Sequence, residues 1–309
     1  MNDLAGRLQA AVRSVVVGND SAVERLVAAI VVGGHVLLEG PPGVAKTLMA
    51  NVFARGLALD FRRAQFTPDM LPSDLTGTMT LRGGDLVFRH GPIFTNVLLA
   101  DEINRTPPKT QAALLEAMQE GHVTVDGESH VLPQPFLVIA TQNPIEYEGT
   151  YPLPEAQLDR FLLQVVIGYP AADDERAMLK LPRTGVGSAD LSALQPVAGA
   201  ADIAAARKAV SEITVSDEVY DYVLTIVRRT RELPSVALGA SPRAAVHLLA
   251  MSRAQAWLAG RTFVTPDDVV AVVPDVLRHR LVLRPDAQIE RFGATEAIAM
   301  VLREVPIPR

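Results

Sequence analysis

Hydrophobic positions along this chain follow two different periods, and the change of period marks out the predicted elements. Apolar residues recur at helical spacing over 4–17 and 20–32. Short apolar runs typical of buried strands follow at 36–39, 61–66, 97–100, 136–140 and 163–167. Helical segments separate several of these runs. The pattern therefore predicts an α/β fold in which helices cover a mainly parallel sheet.

The same pattern divides the chain into two predicted domains, which agrees with a length of 309 residues. Hairpin insertions are expected near 79–88 and 122–132. In the second, Asp126-Gly127 between alternating segments is a strong signal for a two-residue turn. The predicted ranges are 1–170 for the α/β domain, 171–190 for a linker helix and loop, and 191–309 for a smaller all-helical lid domain.

Composition narrows the class of protein. The net charge of −6 lacks the positive excess that is typical of general nucleic-acid binding. The absence of cysteine excludes disulfides, thiolate metal sites and cysteine nucleophiles. The longest apolar stretch, Val27–Leu38, is too short to span a bilayer. The N-terminus lacks a signal pattern. We therefore expect a soluble, cytoplasmic protein with no membrane span.

The strongest chemical signal lies directly behind the first predicted strand. Gly40-Pro41-Pro42-Gly43-Val44-Ala45-Lys46-Thr47 joins that strand to a helix. In such an arrangement, loop N–H groups and a helix N-terminus face the phosphates of a nucleotide. Lys46 is expected to reach the β- and γ-phosphates, and Thr47 to bind Mg²⁺. Ala45 replaces the usual glycine at its position, and a tight turn without a ligand is the alternative.

Polar residues end three other buried runs. Asp101 and Glu102 follow 97–100, and the C-terminal ends of parallel strands form the ligand crevice of an α/β sheet. We expect Asp101 to hold Mg²⁺ through its water shell and Glu102 to polarise the attacking water. Asn143 is expected to orient that water or touch the γ-phosphate, and Gln65 either couples Glu102 to ligand occupancy or makes a simple hydrogen bond. Solvated carboxylates and an ordinary Asn-Pro turn are the alternatives.

In this order, the phosphate loop, the Leu-Leu-Ala-Asp-Glu strand and the Ala-Thr-Gln-Asn-Pro strand resemble those of the AAA+ ATPases. The two hairpins match the clade that has an insertion in the second helix and a hairpin before the first sensor. Within that clade the chain resembles the MoxR family over nearly its whole length, and Ala45 fits that family. The strings that carry the likeness include Gln65–Asp69, Asp101–Arg105, Leu153–Phe161 and Gly239–Ala244.

The resemblance implies roles for two arginines. Arg160 looks like the arginine finger, which in AAA+ rings reaches the nucleotide of the neighbouring subunit and stabilises transition-state charge. Arg243 matches the second sensor, acting either in its own subunit or across the interface. A cation in the first turn of a helix opposes the helix dipole, which makes sense beside an anion. A surface Arg160 paired with Asp159 and a solvated Arg243 are the alternatives.

The resemblance further implies Mg²⁺-dependent ATP hydrolysis by a homo-oligomeric ring of six subunits. The expected role is chaperone-like remodelling of client proteins, or metal-cofactor insertion into them, with a von Willebrand factor A-domain partner. A DNA-translocating motor of the same clade is one alternative, although the acidic hairpin residues Asp85, Asp126 and Glu128 argue against it. A slow nucleotide-dependent binding switch is the other.

These expectations define one set of site residues. The catalytic residues are Glu102, Asn143, Arg160 and Arg243, and the metal ligands are Thr47 and Asp101. The residues expected to contact ATP are Val16, Val17 and Gly18 at the adenine, and Gly40, Pro41, Pro42, Gly43, Val44, Ala45, Lys46, Thr47 and Leu48 around the phosphates.

Overall fold

The computed structural model describes residues 4–143, 150–181, 183–184, 188–189, 191, 194–290 and 292–308. Its α-helices are α1 (Leu4–Arg13), α2 (Asp20–Val32), α3 (Lys46–Gly56), α4 (Pro72–Thr76), α5 (Pro108–Glu120), α6 (Glu155–Leu158), α7 (Ala172–Leu179), α8 (Ala200–Ser211), α9 (Asp217–Glu232), α10 (Pro242–Leu258), α11 (Pro266–Leu277), α12 (Pro285–Ile289) and α13 (Ala294–Glu304). Its strands are β1 (Val36–Glu39), β2 (Phe61–Gln65), β3 (Gly77–Arg82), β4 (Asp85–His90), β5 (Val97–Asp101), β6 (His122–Val125), β7 (Glu128–Val131), β8 (Leu137–Gln142), β9 (Leu163–Val166), β10 (Arg183–Thr184), β11 (Ser188–Ala189), β12 (Val236–Leu238) and β13 (Val282–Leu283).

The main sheet has five strands in the order β2-β5-β8-β1-β9. Neighbours β2 and β5, β5 and β8, and β8 and β1 pair in parallel. Strand β5 is buried at every position, as expected of a parallel strand covered on both faces. The predicted α/β class with a parallel sheet is confirmed. Because β2, β5, β8 and β1 run the same way, the loops that follow them leave from one edge of the sheet, where ligands bind in open α/β folds.

Two hairpins project from the α/β part of the chain. Strands β3 and β4 pair from Gly77↔His90 to Arg82↔Asp85. Strands β6 and β7 are joined by Asp126 and Gly127 with φ values of 50° and 85°, which fits the type I′ turn that Asp-Gly favours. The rings of Phe88 in β4 and His130 in β7 stack at 4.0 Å, so an aromatic contact links the two hairpins.

Contacts divide the chain into two compact units. The nucleotide unit, as we call it here, comprises Asp3–Leu153 and Val165–Ile203, and the lid unit comprises Pro154–Gln164 and Ala204 onward. The stretch Pro154–Gln164 therefore groups with residues that follow it by at least 40 positions. The domain boundaries given above stay predictions.

The lid unit is built mainly from helices, as the sequence pattern predicts. Helix α10 packs against α9 and α11, and α13 packs against α9 and α11. Strands β12 and β13 form a short antiparallel pair, which the helical periodicity did not predict because each has only two or three residues. Among the described helices, none combines the length and the apolar character needed to cross a bilayer.

Candidate nucleotide site

The phosphate loop connects β1 to α3 in the nucleotide unit. Lys46 is the first residue of α3, so its side chain and the first helical N–H groups lie at the same end of the helix. Its Nζ donates a hydrogen bond to the Gly40 carbonyl oxygen at 2.5 Å. The lysine therefore lies across the mouth of the loop that we expect to hold phosphates.

Two positions of the loop, Gly40 and Ala45, have a backbone environment that restricts the choice of residue. A Cβ at Gly40 would lie 2.3 Å from the Ile167 carbonyl oxygen, so that a side chain there would force the backbone to move. Ala45 has φ 59° and ψ 24°, the left-handed conformation, which costs a non-glycine residue about 1–2 kcal/mol. This alanine replaces the usual glycine of such loops, and the loop keeps its left-handed turn in spite of it.

Asp101 is the last residue of β5, and each of its oxygens has defined partners. Oδ1 accepts a hydrogen bond from the Thr141 hydroxyl at 2.6 Å. Oδ2 lies 3.3 Å from Thr47 Oγ1 and accepts hydrogen bonds from Arg63 Nε and Nη2 at 2.9 and 2.7 Å. The Thr47 hydroxyl and the Asp101 carboxylate are hard oxygen donors, so this pair fits Mg²⁺.

Glu102 follows β5 directly and has a left-handed backbone, with φ 60° and ψ 50°. Its N–H donates to Thr141 Oγ1 at 2.9 Å. Its carboxylate accepts a hydrogen bond from Gln65 Nε2 at 2.7 Å and lies 3.1 Å from Arg105 Nε. Because of this turn, the side chains of Glu102 and Asp101 point in different directions. The Glu102 carboxylate can therefore serve a role different from that of Asp101.

Thr141 is a residue of this site that the sequence reasoning missed. Its hydroxyl donates to Asp101 and accepts from the Glu102 N–H, so one side chain fixes both acidic residues. Asn143 lies two residues further along, just after β8, and is buried. The alternation of side chains along a strand places residues two apart on one face, and that spacing from Asn143 was the available signal. The Pro144 that follows Asn143 lies outside the described residues.

A single pocket of about 830 Å³ brings these groups together. Its volume lies in the range of small-molecule sites. Of the predicted site residues, it is lined by Val16, Val17, Pro42, Gly43, Val44, Ala45, Lys46, Thr47, Leu48, Asp101, Glu102 and Asn143. It is also lined by residues that we did not predict, namely Ser14, Val15, Asn19, Thr141, Tyr169, Pro170, Glu175, Met178, Leu181 and Leu194.

Three residues expected to contact nucleotide, Gly18, Gly40 and Pro41, are not among those that line the pocket. Gly18 has φ 83°, and a Cβ there would lie 2.9 Å from Asp174 Oδ2. Gly18 and Gly40 thus allow close approaches, by the Asp174 side chain and by the Ile167 backbone respectively. Val15, Tyr169 and Met178 give part of the pocket an apolar lining, which suits a flat ring.

Arg160 and Arg243 both belong to the lid unit. Within the part of the chain that the structure describes, the half-buried guanidinium of Arg160 makes no hydrogen bond or ion pair. The suggested pairing of Arg160 with Asp159 is therefore not found. Instead, Asp159 accepts hydrogen bonds from Ser241 Oγ at 2.9 and 3.0 Å and lies 3.8 Å from Arg243 Nη1.

Arg280 is the second residue that sequence reasoning missed. Its side chain is 1% exposed, and its Nε donates to Asp159 Oδ1 at 2.8 Å. Its Nη groups donate to the carbonyl oxygens of Phe161 and Leu162 and to His247 Nδ1. Burial lowers the pKa of Arg280 to about 10, which leaves the guanidinium charged at neutral pH. Arg280 thus holds the backbone on both sides of Arg160.

His247 has to be neutral to play its part in that contact. Burial, and then the charge of Arg280, lower the pKa of His247 to about 4. Because a guanidinium has only donors, Nδ1 of His247 accepts the 2.6 Å hydrogen bond from Arg280, and the ring proton is on Nε2.

Comparison with known proteins places this geometry in a family. Residues 35–163 match the model described as ATPase family associated with various cellular activities (AAA), and 228–300 match the AAA lid domain. Chaperone MoxR1 of Mycobacterium tuberculosis is 45% identical over 96% of this chain and 81% of its own length. Protein MoxR of Methylorubrum extorquens is 33% identical over 99% of this chain and 96% of its own length.

A solved structure gives the same result for the fold. A crystal structure from Cytophaga hutchinsonii, assigned there to an ATPase, matches with a TM-score of 0.92 and 40% identity over 99% of this chain and 96% of that one. The matches to it and to the two MoxR proteins cover between 96% and 99% of this chain. The chain belongs to the MoxR family of AAA+ ATPases.

Proposed function

We propose that this protein hydrolyses ATP with Mg²⁺, assembles into a ring of six identical subunits, and uses the reaction to remodel client proteins or to insert metal cofactors into them. The observation that carries the ATPase proposal is the convergence of five side chains on one pocket. Lys46 supplies a cation, Thr47 and Asp101 an oxygen pair, Glu102 a carboxylate, and Asn143 an amide. These side chains lie at or beyond the ends of three separate strands.

Each of these side chains suits one part of phosphoryl transfer. Thr47 and Asp101 are the residues that would hold Mg²⁺, which would neutralise the charge that develops on the phosphates. Lys46 supplies a positive charge at the loop. Glu102 is a carboxylate beside the pocket that can accept a proton from the attacking water, and the Asn143 amide can orient that water.

Arg160 provides the argument for a ring. Its segment belongs to the lid unit, whereas the phosphate loop belongs to the nucleotide unit, and Arg280 holds its flanking backbone. A half-buried guanidinium with no partner among the described residues suits a ligand supplied by another subunit. We propose that Arg160 completes the site of a neighbour and that Arg243 contacts the γ-phosphate.

The role in remodelling rests on the family. The relative from Mycobacterium tuberculosis is named a chaperone, and nucleotide-driven movement of a lid against a core is a common way to do mechanical work on a bound protein. We propose that a separate protein with a von Willebrand factor A-domain brings clients to the ring.

Glu102→Gln tests the ATPase proposal. The amide keeps the size of the side chain and its contact with Gln65 but cannot act as a base, so phosphate release should fall by about 10²–10⁴-fold while ATP affinity in calorimetry stays within a few-fold. Glu116→Gln, at an exposed position of α5, is the matched control and should keep wild-type turnover. Near-normal hydrolysis by Glu102→Gln would reject the assignment.

The same variant tests the client proposal. A subunit that binds ATP without hydrolysing it should retain clients and adaptor, so proteins recovered with Glu102→Gln and identified by mass spectrometry should exceed those recovered with Lys46→Ala. Equal recovery with both variants would argue against ATP-dependent client binding.

A further inference from the structure

Two side chains of β2 face the acidic pair at the end of β5. Arg63 pairs in register with Leu99, and Gln65 pairs with Asp101, and residues two apart on a strand share a face. Both side chains therefore reach over β5 towards the carboxylates. The proposed function assigns no role to Arg63.

The contacts form a continuous chain from one carboxylate to the other. Arg63 Nε and Nη2 donate to Asp101 Oδ2 at 2.9 and 2.7 Å. Nη2 also donates to Gln65 Oε1, and this bond turns the amide so that Nε2 donates to Glu102 Oε2 at 2.7 Å. One guanidinium thus holds Asp101 directly and Glu102 through Gln65.

The oxygen that Arg63 occupies is the one that fits the metal. Asp101 Oδ1 is taken by the Thr141 hydroxyl, whereas Oδ2 faces Thr47 Oγ1 at 3.3 Å. A guanidinium on Oδ2 and a Mg²⁺ ion held by Asp101 and Thr47 would repel each other and would compete for the same lone pairs. The Arg63 side chain is 49% exposed and that of Asp101 only 10%, so the arginine is the partner free to leave for water.

We propose that Arg63 is a positioning residue that Mg²⁺ displaces. It holds Asp101 in place until the Mg²⁺–nucleotide complex binds, and its departure removes the hydrogen bond that orients Gln65 and so loosens the hold of Gln65 on Glu102. Metal binding and the contact between Gln65 and the catalytic carboxylate are thereby linked through one arginine, while Arg105 stays beside that carboxylate. This inference rests on the Mg²⁺–ATP site of the proposed function.

Because Mg²⁺ and nucleotide bind together, the Mg²⁺ dependence of nucleotide affinity tests this inference without a measurement of hydrolysis. The affinity of the full-length protein for a fluorescent ADP analogue is measured over a series of Mg²⁺ concentrations and in excess EDTA, for wild type and for Arg63→Met. The variant keeps the apolar stem and removes the competing charge. The Mg²⁺ concentration that gives half of the affinity gain should fall about fivefold or more.

Arg62→Met is the matched control. Arg62 is the preceding residue of β2, is also exposed, and lies near Gly91 rather than the carboxylates. It should leave the Mg²⁺ midpoint unchanged. ADP affinity in EDTA should be the same for all three proteins, which shows that the variants are folded and that their phosphate loops are intact.

The possible results distinguish a failure of this inference from a failure of the proposed function on which it rests. A Mg²⁺ midpoint in Arg63→Met that is unchanged or higher than in wild type would overturn the inference, because Arg63 would then be neutral or helpful to metal binding. The ATP site itself would still stand in that case. A wild-type protein that binds no nucleotide under any condition would overturn the proposed function and this inference with it.

Discussion

Asp159 and Arg280 are 121 residues apart in the sequence and joined by a 2.8 Å hydrogen bond between Oδ1 and Nε. The carboxylate also accepts from Ser241, and the guanidinium also donates to the backbone of Phe161. The segment that carries Arg160 is therefore fixed by a buried charge from the C-terminal part of the lid unit.

Arg280→Met should destabilise the lid unit by about 3 kcal/mol or more, because it leaves Asp159 and several buried carbonyl groups without their donor. Trp257 is the single tryptophan and lies in this unit, so its fluorescence during urea unfolding measures the effect. Arg303→Met, at an exposed position of α13, is the control and should change stability little. Equal curves for the two variants would show that the Arg280 contacts contribute little.

Arg160→Ala should lower ATP turnover by about 10³–10⁵-fold, the range known for arginine fingers, without loss of ATP binding. Arg228→Ala, on the exposed face of α9, should keep wild-type turnover. Phosphate release and nucleotide binding are measured on the same preparations. A turnover loss in both variants would point to general damage rather than to a finger.

Mixing Arg160→Ala with Lys46→Ala subunits should restore part of the activity. Lys46→Ala alone should abolish ATP binding, because it removes the cation at the phosphate loop, but such a subunit still carries Arg160. In the proposed ring it would supply the arginine to the intact phosphate loop of its neighbour. Absence of rescue in a mixture shown to co-assemble would favour a finger that acts within its own subunit or a structural Arg160.

Thr141→Val should reduce ATP turnover and stability together. Valine has nearly the shape of threonine but leaves the buried Glu102 N–H and Asp101 Oδ1 unpaired, at a cost of about 1–3 kcal/mol. Thr141→Ser keeps the hydroxyl and should retain most of the activity. Unfolding midpoints and phosphate release are compared for the pair, and wild-type turnover in Thr141→Val would contradict the bridging role.

Acid should destabilise the nucleotide unit through His35. Its Nδ1 accepts from the Val138 N–H and its Nε2 donates to the Met118 carbonyl, both at 3.0 Å, so only the neutral ring fits. Burial lowers the pKa of His35 to about 4, below its unfolded value of about 6.5. The unfolded chain then binds the extra proton between these values, and stability is lost as the pH falls from about 6.5 to about 4, by about 3 kcal/mol in all.

The variant His35→Gln isolates the contribution of His35 protonation to stability, because glutamine can accept and donate hydrogen bonds at the same two places without titrating. The excess of wild-type over variant stability, from urea unfolding followed by circular dichroism, should shrink by about 2 kcal/mol between pH 7.5 and pH 5. Phe136→Leu, which alters the ring that contacts His35 edge-on, is the control, and its effect should not depend on this titration. A pH-independent difference for His35→Gln would exclude the histidine as the source.

Features that depend on neighbouring residues could be predicted from the sequence. The phosphate loop is defined by a strand, a glycine-rich turn and Lys46 in immediate succession, and the second hairpin by Asp126-Gly127. Asp101 and Glu102 could be placed because the end of a parallel strand has a known location in an α/β sheet. Each of these inferences needs only local pattern and one general rule of topology.

Features that depend on residues far apart in the chain could not be predicted from the sequence. Arg280 meets Asp159 only because of the fold, and arginine is so frequent in this chain that its type alone says nothing. Arg63 is equally ordinary until strand order places β2 beside β5. Thr141 lies in a predicted strand, but the partners of its hydroxyl, 39 and 40 residues earlier, are the last residue of another strand and the residue that follows it.

The grouping of Pro154–Gln164 with the lid unit has a consequence for biosynthesis. A chain emerging from the ribosome completes the phosphate loop and both carboxylates well before Arg280 is made, and N-terminal parts fold first during synthesis. Until the last tenth of the chain emerges, the segment with Arg160 lacks the charge that fixes it. If Arg160 serves a neighbouring subunit as proposed, a nascent subunit would be able to capture a nucleotide before it could lend an arginine to that neighbour, and unfinished chains would not trigger hydrolysis in completed ones.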